Sequence, residues 1–302
     1  MILQAKFKMF LRAGFFSFAI ILLFLSCNTN SETPAEKSRI KDTAAPASKT
    51  TPEPVPEKKT AISYQLLTPR DSIKKILKRA DSISLRIIAS VNRADIRSLR
   101  NFDSLVAPHD TRQELKNYFP FPHNAAFLKD VKKILFFSYP TQSFAAYENG
   151  ILVHTGPTSM GKRATKTPLG LFYTNWKAEE TTSTVNDEWK LKWNFNIQNK
   201  MGIGFHQYAM PGYPASHSCL RLPETDAKYL YSWADQWKLN RAGNIAAYGT
   251  PVVVFGSYPF GSSRPWLVLA ADGNALNISE TDLENTAKEY LPDIMQKQSM
   301  RD

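Results

Sequence analysis

Short apolar segments separated by turn residues fill the middle of the chain, between residues 131 and 257. The sequence Glu148-Asn149-Gly150-Ile151 joins two of these segments through an Asn-Gly pair, which favours a two-residue β-hairpin turn. Between residues 189 and 197, large apolar side chains alternate with lysine and asparagine, which predicts a strand with one buried and one solvated face. The pattern predicts a mostly β, sandwich or barrel-like domain, with strands at 131–138, 143–148, 151–155, 171–176, 189–197, 203–208 and 251–255.

Apolar residues recur at helical spacing in three other segments. From Pro69 to Ser90 they form one face of an amphipathic helix, within a helical lead-in that we assign to residues 61–130. A short helix is predicted for residues 281–297, within a C-terminal extension over residues 258–302. A single helix that starts at Pro223 interrupts the strands, and its apolar face consists of Ala227, Leu230, Tyr231, Ala234 and Trp237.

The first 26 residues have the organisation of an export signal. Lys6, Lys8 and Arg12 precede an apolar run from residue 13 to residue 25, which is short for a membrane span. The run ends at Leu25-Ser26-Cys27, which resembles a bacterial lipobox, where signal peptidase cuts before a cysteine that carries acyl chains. The resemblance implies a lipid anchor at Cys27. A plain signal peptide, or a short anchor helix with an incidental cysteine, is the alternative.

The segment 27–60 is rich in Pro, Thr, Ser, Lys and Glu and contains almost no large apolar side chain. Such a segment cannot bury enough surface to offset its ordering entropy, so it is predicted to be a disordered tether. The net charge of +11 suits anionic envelope polymers or lipid headgroups without distinguishing between them. We therefore expect an exported, lipid-anchored protein in the cell envelope that faces the periplasm. Export argues against a nucleic-acid partner, and no protein partner is indicated.

The chain has two cysteines, and lipidation accounts for Cys27. An exported protein that keeps one unpaired cysteine either tolerates an inert thiol or uses a reactive one. Cys219 lies near His206 and His217 in the sequence, and a neighbouring imidazole helps to convert a thiol into a nucleophilic thiolate. Arg221 can lie on the same face of an extended chain. The turn-rich residues 210–214 can fold His206 back toward the cysteine.

These residues alone leave alternatives open. Cys219 could be an inert core residue, and His206, His217 and Cys219 could bind zinc, although no fourth ligand is apparent. Ser216 or Ser218 could be a serine nucleophile, although a better nucleophile lies beside them. The sequence contains no evident phosphate loop, metal cluster or nucleotide fingerprint, so no cofactor and no metal are predicted.

Three motifs, in order along the chain, resemble the YkuD-type L,D-transpeptidases. The family signature is a histidine followed downstream by Ser-His-Gly-Cys, a hydrophobic residue, and Arg or Asn. This chain has His206 and then Ser-His-Ser-Cys-Leu-Arg at residues 216–221. Residues 166–172 (Lys-Thr-Pro-Leu-Gly-Leu-Phe) resemble the family's Thr-Pro-x-Gly-x-Phe stretch, and residues 249–254 (Gly-Thr-Pro-Val-Val-Val) its closing strand. The resemblance covers residues 131–257, which we take as the catalytic domain.

The resemblance implies a β-sandwich-like fold with the cysteine in a cleft, and an enzyme that acts on peptidoglycan stem peptides. Such enzymes attack the L-centre carbonyl of a diamino acid in a stem tetrapeptide, release the terminal D-alanine and pass the acyl group to an amine. Cys219 would be the nucleophile, His206 the general base and His217 a group that stabilises or orients the site. Backbone N–H groups near the cysteine are candidate oxyanion donors. The residues expected to contact substrate are Arg221, Ser216, Ser218 and Tyr208.

Ser218 stands where the family usually has glycine. If this position has a positive φ, serine there costs on the order of 1 kcal/mol. Two other functions remain open. One is an L,D-carboxypeptidase or endopeptidase, in which water replaces the acceptor amine. The other is a catalytically inactive envelope-binding module, motivated by Ser218 and by residues 88–108, which resemble the second half of a LysM carbohydrate-binding module.

Overall fold

The computed structural model describes residues 61–183 and 186–301. The predicted signal peptide (1–26), the lipidation at Cys27 and the tether (27–60) lie outside the described residues. Within the described ranges, no helix is long and apolar enough to cross a membrane. The strands and α-helices of these ranges are, in chain order, β1 (Tyr64–Leu67), α1 (Arg70–Arg79), α2 (Ser82–Val91), β2 (Leu105–Pro108), β3 (Ile134–Ser138), β4 (Ser143–Glu148), β5 (Ile151–Pro157), β6 (Gly170–Tyr173), β7 (Lys177–Thr182), β8 (Lys190–Gln198), β9 (Ile203–Gln207), β10 (Leu220–Leu222), α3 (Glu224–Trp233), β11 (Lys238–Leu239), β12 (Ile245–Ala247), β13 (Pro251–Phe255), α4 (Glu280–Ala287) and α5 (Leu291–Ser299).

A five-stranded sheet with the order β5-β4-β3-β13-β6 lies at the centre of the domain. Along β3, Leu135 and Phe137 face a core that is shared with a second sheet, whereas Ile134 and Phe136 face the other side. The C-terminal helices cover that other side with side chains such as Leu283. Both faces are therefore buried, which explains why the sequence of β3 is an unbroken apolar run rather than an alternating one.

A four-stranded sheet with the order β10-β9-β8-β7 packs against the first sheet. Its strand β10 runs parallel to β9, with Arg221 opposite His206 in the register. Helix α3 follows β10 and adds apolar side chains to the shared core. The prediction of a mostly β, sandwich-like fold with one helix after the cysteine motif is confirmed. The helix is shorter than predicted, because Ala234 is already extended (φ −74°, ψ 145°) and leaves Trp237 outside it.

The hairpin predicted from the Asn-Gly pair is present between β4 and β5. Asn149 and Gly150 have φ values of +47° and +80°, and a type I′ turn requires positive φ at both of its central residues. Glu148 pairs with Ile151 across the turn. Local sequence thus determines this part of the sheet.

The predicted solvated face of β8 is wrong in its second half. Lys190 and Lys192 are exposed, but Asn194 and Asn196 are buried. The pairing of β8 with β9 shifts register after Lys192, where Trp193 adopts a φ of +53°, and such a bulge turns the following side chains. The side chain of Asn196 accepts a hydrogen bond from Asn175 Nδ2 at 3.0 Å, which satisfies its buried amide oxygen.

The lead-in contains two helices rather than the single predicted helix. Helix α1 ends at Arg79, and Asp81 begins α2 by accepting a hydrogen bond from the backbone N–H of Ser84 at 2.7 Å. The lead-in is also not purely helical, because β1 and β2 pair antiparallel. The resulting βααβ unit has an apolar cluster of its own, which includes Ile73 and Leu105.

The C-terminal segment likewise forms two helices where one was predicted for residues 281–297. Ser279 caps α4 by accepting a hydrogen bond from the backbone N–H of Asp282 at 3.0 Å. Pro292 lies in the first turn of α5, where proline is tolerated, whereas a continuous helix would exclude it. The extension is part of the domain core, because it buries three apolar side chains against the five-stranded sheet: Leu283, Ala287 and Ile294.

Candidate active site

Alternation along β9 and β10 places the candidate residues on the face of the four-stranded sheet that is turned away from the core. Phe205 and Leu220 belong to the shared core. Their neighbours His206 and Arg221 therefore project from the opposite face, side by side in the parallel register. Cys219 directly precedes β10, next to the same strand pair.

A cleft on this face brings six of the seven predicted site residues together. Ser218 is the exception and is not among the residues that line the cleft. Three residues that the sequence did not assign to the site complete the lining. The full set is Ser183, Trp189, Leu191, His206, Tyr208, Ser216, His217, Cys219 and Arg221.

His206 is buried, and its ring has a defined tautomer. Its Nδ1 lies 3.0 Å from the backbone oxygen of Gln207. A carbonyl oxygen can only accept, so Nδ1 carries the proton and Nε2 is the basic nitrogen. Burial lowers the pKa of His206 to about 4, and the charge of Arg221 acts in the same direction. The imidazole is therefore neutral at physiological pH.

The thiol of Cys219 is partly buried and protonated at rest. Its Sγ lies 3.8 Å from the backbone oxygen of Gly202. Burial raises the pKa of Cys219, because it disfavours the charged thiolate; the backbone N–H of Gly204 and the positive charge of Arg221 oppose this shift in part. The site thus pairs a neutral thiol with a neutral imidazole.

The loop between His206 and Cys219 is held by the lead-in. The backbone N–H of Asp95 donates to Met210 O at 2.8 Å, and its carboxylate accepts from the N–H of Met210 at 2.9 Å. Gly212 has a φ of +83°, and a Cβ there would lie 2.6 Å from the ring of Phe102. Because only glycine fits this approach, the turn predicted at residues 210–214 depends on the lead-in for its position.

Backbone and hydroxyl contacts fix the segment that immediately precedes the cysteine. Ser216 Oγ donates to Cys219 O at 2.5 Å, and Thr167 Oγ1 donates to Ser218 O at 2.9 Å. Ser218 has a φ of +82°, which lies in the left-handed region that favours glycine. Its Oγ donates to Thr165 O at 3.3 Å. Both serine hydroxyls are therefore bonded within the protein, and their contact with substrate stays a prediction.

His217 lies between a lysine and an aromatic ring. Its Nε2 is 3.1 Å from Nζ of Lys162, and its ring centroid is 5.3 Å from that of Trp189. Burial lowers the pKa of His217, and the positive charges of Lys162 and Arg221 lower it further. His217 is therefore a neutral group in the wall of the cleft.

Arg221 supplies positive charge to the cleft. Its guanidinium carbon lies 4.5 Å from the ring centroid of Tyr208, and one of its nitrogens is 3.5 Å from Ala209 O. Burial lowers the pKa of Arg221, and an arginine stays charged at physiological pH. Within the described part of the chain, the guanidinium forms no ion pair with a carboxylate, so it can bind an anionic group.

The arrangement suits nucleophilic acyl transfer. It combines a thiol, a buried base with a free Nε2 and a cationic side chain in one cleft. Among the described residues, no three His, Cys, Asp or Glu side chains lie close enough together to hold a metal ion.

Sequence reasoning missed several residues around the cleft. The strand alternation predicts a buried core position for Trp189, although aromatic rings also line glycan clefts; the structure places it in the cleft beside His217 and Tyr208. Lys162 carries no local signal, because an isolated lysine in a loop is usually solvated. Thr167 belongs to the motif at residues 166–172, but its contacts appear only in the structure. Its hydroxyl accepts a hydrogen bond from the backbone N–H of Gly161 at 2.9 Å and donates one to Ser218 O.

Residues 132–254 match the family model YkuD, the L,D-transpeptidase catalytic domain. This match confirms the resemblance inferred from the three motifs. None of the curated protein sequences matches the chain.

Solved L,D-transpeptidases are similar to part of the chain. One from Stackebrandtia nassauensis is 18% identical, with a TM-score of 0.35 over 62% of this chain and 78% of that chain. One from Mycobacterium smegmatis is 17% identical, with a TM-score of 0.33 over 41% of this chain and 59% of that chain. One from Mycobacterium tuberculosis is 20% identical, with a TM-score of 0.33 over 41% and 58%. This chain thus spans less than two thirds of the mycobacterial proteins.

Proposed function

We propose that this protein is an L,D-transpeptidase that acts on peptidoglycan stem peptides through an acyl-enzyme on Cys219. The observation that carries the proposal is the cleft shared by Cys219 and His206, in which Nδ1 of the histidine is bonded to the backbone and Nε2 is left for proton transfer. The match of residues 132–254 to the L,D-transpeptidase catalytic domain supports the substrate class.

The first half-reaction starts from the neutral thiol and the neutral imidazole. As Sγ of Cys219 attacks the carbonyl carbon at the L-centre of the diamino acid, the thiol proton moves to Nε2 of His206 and the carbonyl oxygen becomes an oxyanion. Collapse of this intermediate breaks the C–N bond to the terminal D-alanine. His206 gives the proton to the leaving amine, and a thioester remains on Cys219.

The second half-reaction transfers the acyl group. An amine from a neighbouring stem attacks the thioester carbon and gives up a proton to His206, the C–S bond breaks, and the thiolate of Cys219 recovers that proton. Arg221 supplies positive charge for a substrate carboxylate, and backbone N–H groups near Cys219 would donate to the oxyanion. If water attacked the thioester in place of the amine, the enzyme would be an L,D-carboxypeptidase or endopeptidase.

The location of the enzyme is a separate proposal. The basic residues, the apolar run and the small residue before Cys27 support export and lipidation, and the acidic, basic and proline-rich segment to residue 60 supports a tether. The anchor would hold the domain in the cell envelope. Metabolic labelling with a palmitate analogue should modify the wild type but not Cys27→Ala, and labelling of both would reject the anchor at this cysteine.

Mass spectrometry with a disaccharide-tetrapeptide substrate tests the activity. We expect the full-length protein in detergent to release D-alanine and form crosslinked dimers, and we expect Cys219→Ala to do neither. Cys27→Ala is the matched control, because it removes the other cysteine and should remain active. A tripeptide product without dimers would show a hydrolase, and turnover by Cys219→Ala would reject the proposed nucleophile.

A further inference from the structure

The contact between Lys162 and His217 determines which nitrogen of the imidazole carries a proton. A lysine ammonium group has three donors and no acceptor. Its Nζ lies 3.1 Å from Nε2 of His217, so Nε2 must accept. A neutral imidazole that accepts at Nε2 carries its single proton on Nδ1.

The remaining nitrogen of His217 has no acceptor. Nδ1 is buried, and within the described residues no group forms a hydrogen bond with it. A buried N–H without a partner costs roughly 1–3 kcal/mol, and native proteins satisfy most such groups. His217 also lines the cleft that contains Cys219. An acceptor on a molecule bound in this cleft would satisfy the unpaired donor.

Lys162 is held in place by the backbone rather than by its own side chain. Its N–H donates to Ser216 O at 3.0 Å, and the preceding Gly161 forms a bridge with Ser216. A Cβ on Gly161 would lie 2.2 Å from Thr165 O, so the chain at this point approaches more closely than any other residue allows. The backbone of Lys162 is thus fixed beside the cysteine motif that contains the histidine.

We infer that Lys162 is a positioning residue, which holds His217 as a neutral imidazole whose Nδ1–H donates a hydrogen bond to an acceptor oxygen of the bound peptide. The inference rests on the proposed function for its substrate. The two histidines then have different roles, because a different ring nitrogen of each is left without a partner among the described residues. His206 offers a basic Nε2 to the thiol proton, whereas His217 offers an N–H to the peptide.

Nuclear magnetic resonance can test the tautomer without any substrate. Two-bond ¹⁵N–¹H correlations of the full-length protein in detergent distinguish an imidazole protonated at Nδ1 from one protonated at Nε2. We expect Nδ1–H for His217 in the wild type and in Lys162→Arg. In Lys162→Met we expect a shift toward Nε2–H, because the constraint on Nε2 is gone. Nε2–H in the wild type, or an unchanged tautomer in Lys162→Met, would overturn the inference.

Kinetics with the tetrapeptide substrate test the consequence. Lys162→Met should lower kcat on the order of tenfold with a smaller change in KM, since the donor acts as charge develops, and Lys162→Arg should restore most of the rate. Lys166→Met, an exposed lysine in the same loop, is the matched control and should stay at the wild-type rate. An equal loss in Lys166→Met would show a general charge effect and reject the positioning role.

A second pair of variants probes His217 directly. The amide nitrogen of asparagine can replace a donor at Nδ1, whereas that of glutamine replaces one at Nε2, so His217→Asn should retain at least several times more activity than His217→Gln. The reverse order would contradict the inference. If the wild type has no turnover but shows the expected tautomer, the proposed function fails while the assignment of Lys162 stands. A thermal unfolding midpoint close to that of the wild type verifies that each variant is folded.

Discussion

The two sheets of this protein use their outer faces differently. The five-stranded sheet is covered on both sides, by the shared core and by the C-terminal helices. The four-stranded sheet packs one face against the shared core, and its other face carries a cleft with His206 and Arg221 beside Cys219. Successive side chains of a strand point to opposite faces, so a sheet with a cleft on one face can hold a packed core and a reactive site on alternate residues. The comparison predicts that changes in the first sheet reduce stability, whereas changes on the cleft face of the second reduce activity.

Replacement of the nucleophile should give the largest effect. Cys219→Ala should reduce D-alanine release by more than about 10³-fold, because it removes the proposed nucleophile of the acyl-enzyme. The thermal midpoint should change little, since the contacts of the thiol are weak, such as that to Gly202 O at 3.8 Å. Turnover assays and thermal unfolding on the same preparation test both parts. A large loss of stability would mean that the cleft face also supports the fold.

A large-to-small substitution in the five-stranded sheet should reduce stability and leave activity unchanged. Phe136 is fully buried and packs edge-to-face on Tyr147 and Phe255, with centroid distances of 5.9 and 6.3 Å. Phe136→Ala should lower the free energy of unfolding by about 3–5 kcal/mol, with turnover per folded molecule unchanged. Urea unfolding measures this, and Leu66→Ala, at a half-exposed position, should change the free energy by less than about 0.5 kcal/mol. Equal effects of the two substitutions would contradict the packing assignment.

The pH dependence of stability should reveal the buried base. The pKa of His206 is about 4 in the folded protein and near 6.5 when unfolded. Between pH 4 and pH 6.5 the unfolded state binds one more proton at His206 than the folded state does. The contribution of His206 to the free energy of unfolding is therefore fully present above pH 6.5 and is lost as pH falls toward 4. The loss is about 3 kcal/mol, from 1.36 kcal/mol per pKa unit. Measurements of the unfolding free energy of the wild type and His206→Gln between pH 4 and 6.5 test this pH dependence.

The matched control for this experiment is His109→Gln, because His109 is exposed. It should keep the wild-type slope between pH 4 and 6.5, whereas His206→Gln should flatten it. Identical slopes for the wild type and His206→Gln would mean that His206 is not the neutral, buried base assigned here.

A smaller effect on stability and activity is expected at Thr167, which supports the segment that precedes the cysteine. Thr167→Val removes the donor to Ser218 O and the acceptor for the N–H of Gly161, both buried. The free energy of unfolding should fall by about 1–3 kcal/mol, and activity should fall with it because Ser218 positions Cys219. Thr167→Ser keeps the hydroxyl and should behave almost like the wild type. If the serine variant loses as much as the valine variant, the methyl group and not the hydroxyl supports the loop.

The smallest expected effect concerns backbone strain at the edge of the site. Ser218→Gly should raise the free energy of unfolding by up to about 1 kcal/mol, because glycine adopts the φ of +82° without a steric penalty. Ser216→Gly is the contrasting variant and should destabilise, since it removes the hydroxyl that binds Cys219 O. Chemical denaturation measures both, and a destabilised Ser218→Gly would show that its bond to Thr165 O outweighs the strain.

The sequence by itself determined the features that depend on near neighbours in the chain. The Asn149-Gly150 turn, the alternation along β9 and the His206 and Cys219 motif are local patterns, and each was identified from residue types and spacing. The fold class followed from these patterns, because strand periodicity needs no knowledge of partners. Local residues also separate the paired helices, because Asp81 is an N-cap and Pro292 lies in the first turn of α5. The apolar periodicity continues past both residues, so it predicts one helix where the structure has two.

Only the tertiary structure decided which distant groups meet. Asp95 reaches Met210 across 115 positions, and Lys162 reaches His217 across 55. Phe195 and Ile197 of β8 face the shared core, and Asn194 and Asn196 are buried on the other face, where Asn175 donates to the Asn196 amide oxygen. Burial also reinforces the neutral states of both groups, since it lowers the pKa of His206 and raises the pKa of Cys219. Contacts between groups far apart in sequence leave no periodic signal along the chain, so the partners of a reactive residue are known only once the chain has folded.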